Sequence, residues 1–229
     1  MDWYPLLNSL RIAAISTVAV FFLGIWAANG IAKLSPAVKG ALDVLLTLPL
    51  VLPPTVVGWL LLTLLGPNRP IGVWAGQVFG VRLVMNWWSA IFATVIVAFP
   101  LMYRTARGAF ESFDQDLADA ALSLGRTRAQ VFWSVKLPCC KQGILAGAVL
   151  AFARALGEYG ATSMLAGYTP GRTATISTTV YQLWRTGDDR GALFWVAVNL
   201  VLSAAFLLAL SAMETQRKKQ HKPTAKDRR

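Results

Sequence analysis

The stretch at residues 119–138 reads DAALSLGRTRAQVFWSVKLP; it is polar and basic, although long apolar runs flank it on both sides. Its pattern predicts a short helix that is broken at Gly125, where glycine permits the backbone to turn. A second helical piece should follow and stop at Leu137 and Pro138, because proline cannot continue a helix. An ordered helix with a glycine break, in a loop between membrane spans, indicates that another protein docks there. Residues 119–138 are called the docking loop below.

The first of these helices has the chemistry of a contact surface. Ala120 and Ala121 would let a partner approach the backbone closely, and Leu124 would supply apolar contact. Asp116 and Asp119 fall early in the helix, where carboxylates complement the positive end of the helix dipole. The alternative is an amphipathic helix that lies on the lipid surface, but such a helix needs neither an alanine pair nor a glycine break.

Composition excludes an ordinary soluble domain. The chain has 229 residues, of which 55% are hydrophobic and only 14% charged, so an all-α protein that crosses the membrane several times is expected. The net charge of +11 would suit nucleic acid if the basic residues shared one folded face. They cluster between the apolar runs instead, which argues for membrane orientation and against nucleic-acid binding. The only two cysteines, Cys139 and Cys140, are adjacent, and no metal site is expected.

Five runs are long enough to cross about 30 Å of hydrocarbon, although a sixth span stays open at this point. They cover residues 9–28, 43–65, 87–103, 143–160 and 193–212. The first eight residues carry no positive charge, so the first run is expected to remain as a span and not to act as a cleaved signal. Residues 9–212 thus form the predicted membrane domain.

The orientation follows from lysine and arginine, which favour the cytoplasmic side. Residues 213–229 form a strongly basic tail, which is expected in the cytoplasm. Counting back across the spans places residues 161–192 and 66–86 outside and residues 104–142 and 29–42 inside. The amino terminus then faces outward, and the docking loop lies on the cytoplasmic side, where ATP is found.

The second span carries three prolines, Pro49, Pro53 and Pro54, just before Gly58. Each proline removes a backbone donor, so this helix must kink or break. Freed carbonyl groups at membrane depth are tolerated only where they are buried in protein or line a wet cavity. The break therefore indicates either part of a translocation pathway or a kink that serves packing, and composition does not separate the two.

Two charged residues lie in the fourth span. Arg154 and Glu158 are four residues apart, so they share a helix face and can pair. One interpretation is a structural ion pair in the bundle; the other is that Arg154 faces a passing oxyanion. The structural pair is the better interpretation, because a tightly held anion would leave a pathway slowly.

Catalysis within this chain is not expected. Its one histidine, His221, lies in the basic tail, and no carboxylate pair has a suitable spacing. The Gly-x-x-x-x-Gly-Lys-Ser/Thr nucleotide loop is absent from the sequence, so ATP binding is not expected either. Energy for transport would have to come from another polypeptide.

Three strings resemble permeases of ABC importers. The docking loop follows the family pattern of Glu-Ala-Ala, glycine, a hydrophobic residue and Leu-Pro through Asp119-Ala120-Ala121, Gly125, Val135 and Leu137-Pro138. The string LPLVLPPTVVG closely resembles molybdate permeases, and RALGEYGA resembles permeases of the molybdate, tungstate and sulfate type. Asp119 stands where the family usually has glutamate, so its charge is kept but its reach is shorter.

The resemblance covers residues 9–212 and implies a type I ABC importer transmembrane domain with about five membrane helices and cytoplasmic coupling helices. It implies a homodimer in the inner membrane, two ATP-binding subunits on the cytoplasmic side and an extracytoplasmic molybdate-binding protein. ATP would be used by the partner subunits, and this chain would bind no cofactor. A sulfate or tungstate permease of the same type is the nearer alternative. A stand-alone carrier or channel is the more distant one, disfavoured because Glu158 is the only clear acid expected at membrane depth.

Overall fold

The computed structural model describes residues 2–220, with side chains through residue 208. The described chain divides into two compact units, residues up to Thr178 and residues from Thr179. The helices of the first unit are α1 (Tyr4–Ile31), α2 (Pro36–Val51), α3 (Pro54–Leu65), α4 (Pro70–Phe79), α5 (Trp87–Glu111), α6 (Gln115–Ser123), α7 (Arg128–Val131), α8 (Leu137–Cys139), α9 (Lys141–Leu156) and α10 (Gly160–Leu165). No strand occurs among residues 2–220, which confirms the all-α prediction.

The core of the first unit forms where α1, α5 and α9 pack together. Val20, Met102 and Ile144 are buried there, one from each helix. The helices approach closely because small residues lie at the crossings: a Cβ built on Gly24 of α1 would lie 2.6 Å from Met102 Cγ. Small residues at such crossings are typical of membrane bundles, where van der Waals packing replaces the hydrophobic effect.

The second unit begins within α11 (Ile176–Arg185), and α12 (Asp189–Gln220) follows. The turn between them contains Gly187 in a left-handed conformation with φ of 82°. The Asp188 carboxylate then accepts a hydrogen bond from the Gly191 amide at 2.9 Å and so satisfies a free donor at the start of α12. The predicted basic tail at residues 213–229 lies mostly outside this description, and His221 lies wholly outside it.

Three helices are long and apolar enough to cross a membrane: α1, α5 and residues 189–208 of α12. Two further pairs of helices pass the same test only when each bent pair counts as one span, which gives up to five. The prediction of a polytopic membrane protein is confirmed. The predicted ends of the spans were less accurate. Helix α5 continues eight residues past the predicted end at 103. Helix α9, which corresponds to the fourth run, ends at Leu156 and not at residue 160.

The predicted second span is the largest departure from a simple bundle. The chain bends by 113° between α2 and α3, so residues 43–65 do not form one straight span. Leu52 and Pro53 between them are extended, with ψ of 142° and 134°. A residue before proline is driven out of the helical region by the following ring, which explains why the chain turns at this point.

Helix α4 was not expected, because residues 66–86 were assigned to a loop. It begins with Pro70 at its first turn, where the missing amide costs nothing. It ends at Gly80, whose φ of 64° gives the left-handed cap that glycine favours. These two local signals bracket the helix in the sequence.

Candidate functional site

The docking loop contains the predicted helix, glycine break and second helix. Asp114 caps α6 by accepting a hydrogen bond from the Asp116 amide at 2.9 Å. The helix ends at Ser123, and Gly125 follows with φ of 81°. This left-handed turn lets the amides of Gly125 and Arg126 bond back to carbonyl groups of α6 at 2.9 and 3.2 Å. Of the two predicted acids, only Asp116 lies in the first turn of α6, where it complements the helix dipole. Asp119 lies in the middle of the helix.

The second piece of the loop differs from its prediction in the turn before the proline. Thr127 and Gln130 form a reciprocal capping box at the start of α7, with N···O distances of 3.3 and 2.9 Å. A π-helical turn at Phe132–Lys136 follows, and the backbone remains helical through Pro138 to Cys139. The second piece thus ends one residue past the predicted stop at Leu137 and Pro138, and the chain bends by 71° before α9. The wider turn accommodates the proline, which lacks an amide hydrogen and would crowd the carbonyl four residues earlier in a regular α-helix.

Apolar side chains of α6, and of Leu124 just after it, are exposed on the surface of the described chain. No residue of α6 is buried within the described chain, and Leu117 and Leu124 are 49% and 84% exposed. Asp119 and Ala120 are exposed and Ala121 is half-buried. A polar helix with uncovered leucines and an alanine pair offers a surface that a partner protein can bury.

The second piece connects the docking loop to the bundle. Phe132 in the π-helical turn packs edge-on against Phe110 of α5, with ring centroids 6.0 Å apart. Lys136 Nζ lies 4.8 Å from the centroid of the same Phe110 ring, within range of a cation–π contact. A force applied to α6 thus has a packed route to the end of α5.

The structure brings together the two membrane strings that resemble molybdate-type permeases, LPLVLPPTVVG and RALGEYGA. A Cβ built on Gly58 of α3 would lie 2.8 Å from Ala161 Cα, and one on Gly160 would lie 2.9 Å from Pro54 Cβ. Helices α3 and α10 therefore approach each other closely at these two glycines, and larger side chains such as Met164 pack around the contact. The other two prolines lie outside this contact: Pro49 is within α2 and half-buried, whereas Pro53 is exposed at the bend.

Arg154 and Glu158 form an ion pair, with Arg154 Nη1 2.7 Å from Glu158 Oε2. The Glu158 side chain is 2% exposed and that of Arg154 is 28% exposed. The other oxygen of Glu158 accepts the Ala161 amide at 2.7 Å, at the start of α10. Helix α9 ends at Leu156, so the pair bridges a break in the chain and does not lie on one continuous helix face.

A second charged cluster was missed by sequence reasoning. Asp43 of α2 accepts a hydrogen bond from Tyr103 and pairs with Arg107, both on α5. Arg107 Nε also lies 2.9 Å from Glu111 Oε1, which in turn pairs with Lys39 at 2.8 Å. Asp43 is the first residue of the predicted second run, so this cluster lies at the end of that run. The sequence signal for this cluster is the spacing of Tyr103, Arg107 and Glu111, which lie four residues apart on one face of α5.

Replacing Gly58 by alanine is expected to lower the free energy of unfolding by about 1–3 kcal/mol, because the added methyl group has no room against the backbone of Ala161. Gly76→Ala is the matched control, since nothing lies within 4 Å of a Cβ there. That control should raise stability by about 0.5–1 kcal/mol through helix propensity. Thermal unfolding in detergent measures both, and equal shifts would contradict the tight contact.

The sequence matches a known family over most of its length. The profile of the family described as "Binding-protein-dependent transport system inner membrane component" matches residues 20–217. The "Molybdenum transport system permease protein ModB" of Escherichia coli strain K12 is 38% identical over 208 residues, which cover 90% of this chain and 91% of that protein. ModB of Haemophilus influenzae is 39% identical over 178 residues, 78% of each chain.

Solved structures show the same fold at lower identity. A bacterial ABC transporter involved in the import of the acidic polysaccharide alginate has a TM-score of 0.76 and 21% identity, over 93% of this chain and 78% of that one. The methionine ABC transporter MetNI has a TM-score of 0.70 and 14% identity, over 91% and 92%. Their likeness to this chain establishes the architecture of a type I ABC transporter membrane domain.

Proposed function

Because this chain belongs to the family of binding-protein-dependent transport system inner membrane components, we propose that it is the permease subunit of an ATP-driven importer and that its cargo is molybdate. One observation carries the choice of cargo. Relatives that are 38–39% identical, and of which the chain covers 91% and 78%, are named as molybdenum transport permeases. The alternative cargoes, sulfate and tungstate, have no comparable support.

The proposed assembly contains two copies of this chain, two ATP-binding subunits and an extracytoplasmic binding protein. The uncovered leucines of α6 support an ATPase partner, and the sequence lacks a nucleotide loop of its own. The alginate transporter, whose fold this chain shares, has been solved in complex with a periplasmic protein bound to alginate pentasaccharide. The basic loops support an orientation with the amino terminus outside and the carboxyl terminus in the cytoplasm.

The contacts give this proposal a mechanical route. Closure of the ATP-binding subunits would push on α6, and the packing of Phe110 on Phe132 would pass that motion to α5. The same polypeptide segment continues into α9, whose end is tied to α10 through Glu158. Helix α10 in turn touches α3 beyond the bend at Pro53. Motion at the docking loop would therefore reach the broken helix, which is the proposed wall of the pathway.

Tight binding of molybdate by this subunit is not required in such a cycle. The binding protein would supply the affinity, and the permease would turn from inward-open to outward-open to accept the released dianion. A pathway that held the anion strongly would slow its exit. Arg154 is engaged with Glu158 at 2.7 Å, which agrees with a structural part for that arginine and leaves it little charge to offer an anion.

Uptake of labelled molybdate tests the cargo directly. Cells that lack the gene are expected to lose uptake, and complemented cells should regain it even with sulfate in large excess. Tungstate, which has the same charge and tetrahedral shape, should compete in the complemented cells. Strong competition by sulfate would move the protein to the sulfate branch, and uptake that does not depend on the gene would remove the molybdate assignment.

A further inference from the structure

An apolar groove lies on the surface of the first unit, between α1 and α5. Its volume is about 610 Å³, within the range of pockets that hold small ligands. Leu23 of α1 and Phe92 of α5 line it and are 46% and 45% exposed. Both helices are membrane spans by length and composition, so the groove opens at a depth where hydrocarbon chains surround the protein.

The groove has a charged rim at one end only. Arg82 lies at its mouth, beside the first residues of α5. Its side chain forms no ion pair or hydrogen bond within residues 2–208, in contrast to Arg107 and Arg154. The Arg82 carbonyl accepts a hydrogen bond from the side-chain Nδ2 of Asn86, and Oδ1 of the same side chain caps α5 by accepting the Ser89 amide. The backbone of Arg82 is thus anchored, while its exposed guanidinium has no counter-ion among residues 2–208.

The dimensions of the groove fit one leaflet. Its lining on α5 runs from Trp88 to Val95, which is about 10 Å along a helix that rises about 1.5 Å per residue. Half of a hydrocarbon core is about 15 Å thick. Trp88, at the charged end, is 69% exposed, and tryptophan side chains prefer the boundary between headgroups and acyl chains.

We propose that this groove binds an anionic phospholipid, with its phosphate at Arg82 and one acyl chain along Leu23 and Phe92. Charge complementarity selects the occupant: the free guanidinium suits a phosphate, and apolar walls below it suit hydrocarbon. A second copy of this chain is the other candidate occupant, and the variants below distinguish it from a lipid. The proposal is independent of the transport cargo and of the direction of transport.

Native mass spectrometry of the full chain in detergent tests the proposal, with phosphatidylglycerol and phosphatidylcholine as probes. The unmodified chain should retain phosphatidylglycerol about tenfold more strongly, the size expected of one charge-assisted hydrogen bond. Arg82→Gln should remove that preference, because the amide carries no charge. Arg69→Gln is the matched control, since Arg69 is an exposed arginine in the same segment outside the groove. An unchanged preference in Arg82→Gln would overturn the proposal.

A second pair of variants tests the acyl chain. Leu23→Trp fills the groove and should lower retention of both lipids, whereas Leu7→Trp, at an exposed position of α1 outside the groove, should not. Equal retention by the two variants would overturn the assignment of the chain. Phe92→Cys tests whether a second copy of this chain occupies the groove instead of a lipid. Disulfide-linked dimers formed through that cysteine would show that a second copy covers the groove, and they would overturn the lipid proposal.

Discussion

Gly125→Asp is expected to reduce ATP-driven uptake more than tenfold while the chain remains in the membrane at its normal level. Gly125 adopts φ of 81°, where a side chain costs about 1–2 kcal/mol, and nothing lies within 4 Å of a Cβ there. The fold should therefore survive. The new carboxylate would stand beside Leu124, on the surface that α6 offers to its partner, and burying an unpaired charge in that interface is costly. Uptake, membrane level and co-purification of the ATPase measure the effect.

A matched variant separates backbone strain from lost docking. Gly80 also ends a helix in a left-handed conformation, with φ of 64° and open space around a Cβ. Gly80→Asp introduces the same strain and the same charge away from the docking loop, so uptake should remain near that of the unmodified chain. A bulky residue at Ala121 should act as Gly125→Asp does. If Gly125→Asp transported normally and still co-purified with the ATPase, α6 would not be the docking helix.

The sequence predicts those features that depend on residues close together in the chain. The glycine break in the docking loop was read correctly, because positive φ after a helix is a local property of glycine. The capping box at Thr127 and the ends of α4 at Pro70 and Gly80 carry equally local signals that could have been read. The end of the second piece near Pro138 was predicted to within one residue, whereas the π-helical turn before it was not, because the sequence pattern predicts only a helix there.

Features that depend on residues far apart could not be predicted in the same way. Pairing of Asp43 with Arg107 requires the relative placement of α2 and α5, which hydropathy does not give. The prolines predict the break at Pro53, but not its bend of 113° or the contact of α3 with α10 through Gly58. The sequence singles out the two strings separately, by their resemblance to permeases. Their mutual contact is a property of the packed unit, in which small residues set how closely two helices approach.

Arg154→Ala is expected to destabilise the protein more than any other substitution in the fourth span. The Glu158 side chain is 2% exposed, and Arg154 is its ion-pair partner at 2.7 Å. Removal of the arginine leaves a buried carboxylate without a counter-charge, which typically costs about 3–5 kcal/mol. For a chain of 229 residues, a loss of that size should lower the unfolding midpoint by about 6 °C or more. Thermal unfolding in detergent and the membrane level of the variant measure it.

Neutralising the partner should recover much of that loss. In the double variant Arg154→Ala with Glu158→Gln, the glutamine carries no charge and its carbonyl oxygen can still accept the Ala161 amide that holds the start of α10. Glu158→Gln alone should be milder than Arg154→Ala, because Arg154 is 28% exposed and can reach water. This order of stabilities is what a structural pair requires. If Arg154→Ala instead reached the membrane with normal stability and lost only oxyanion transport, the arginine would belong to the pathway, since its charge would then be acting on the cargo and not on Glu158.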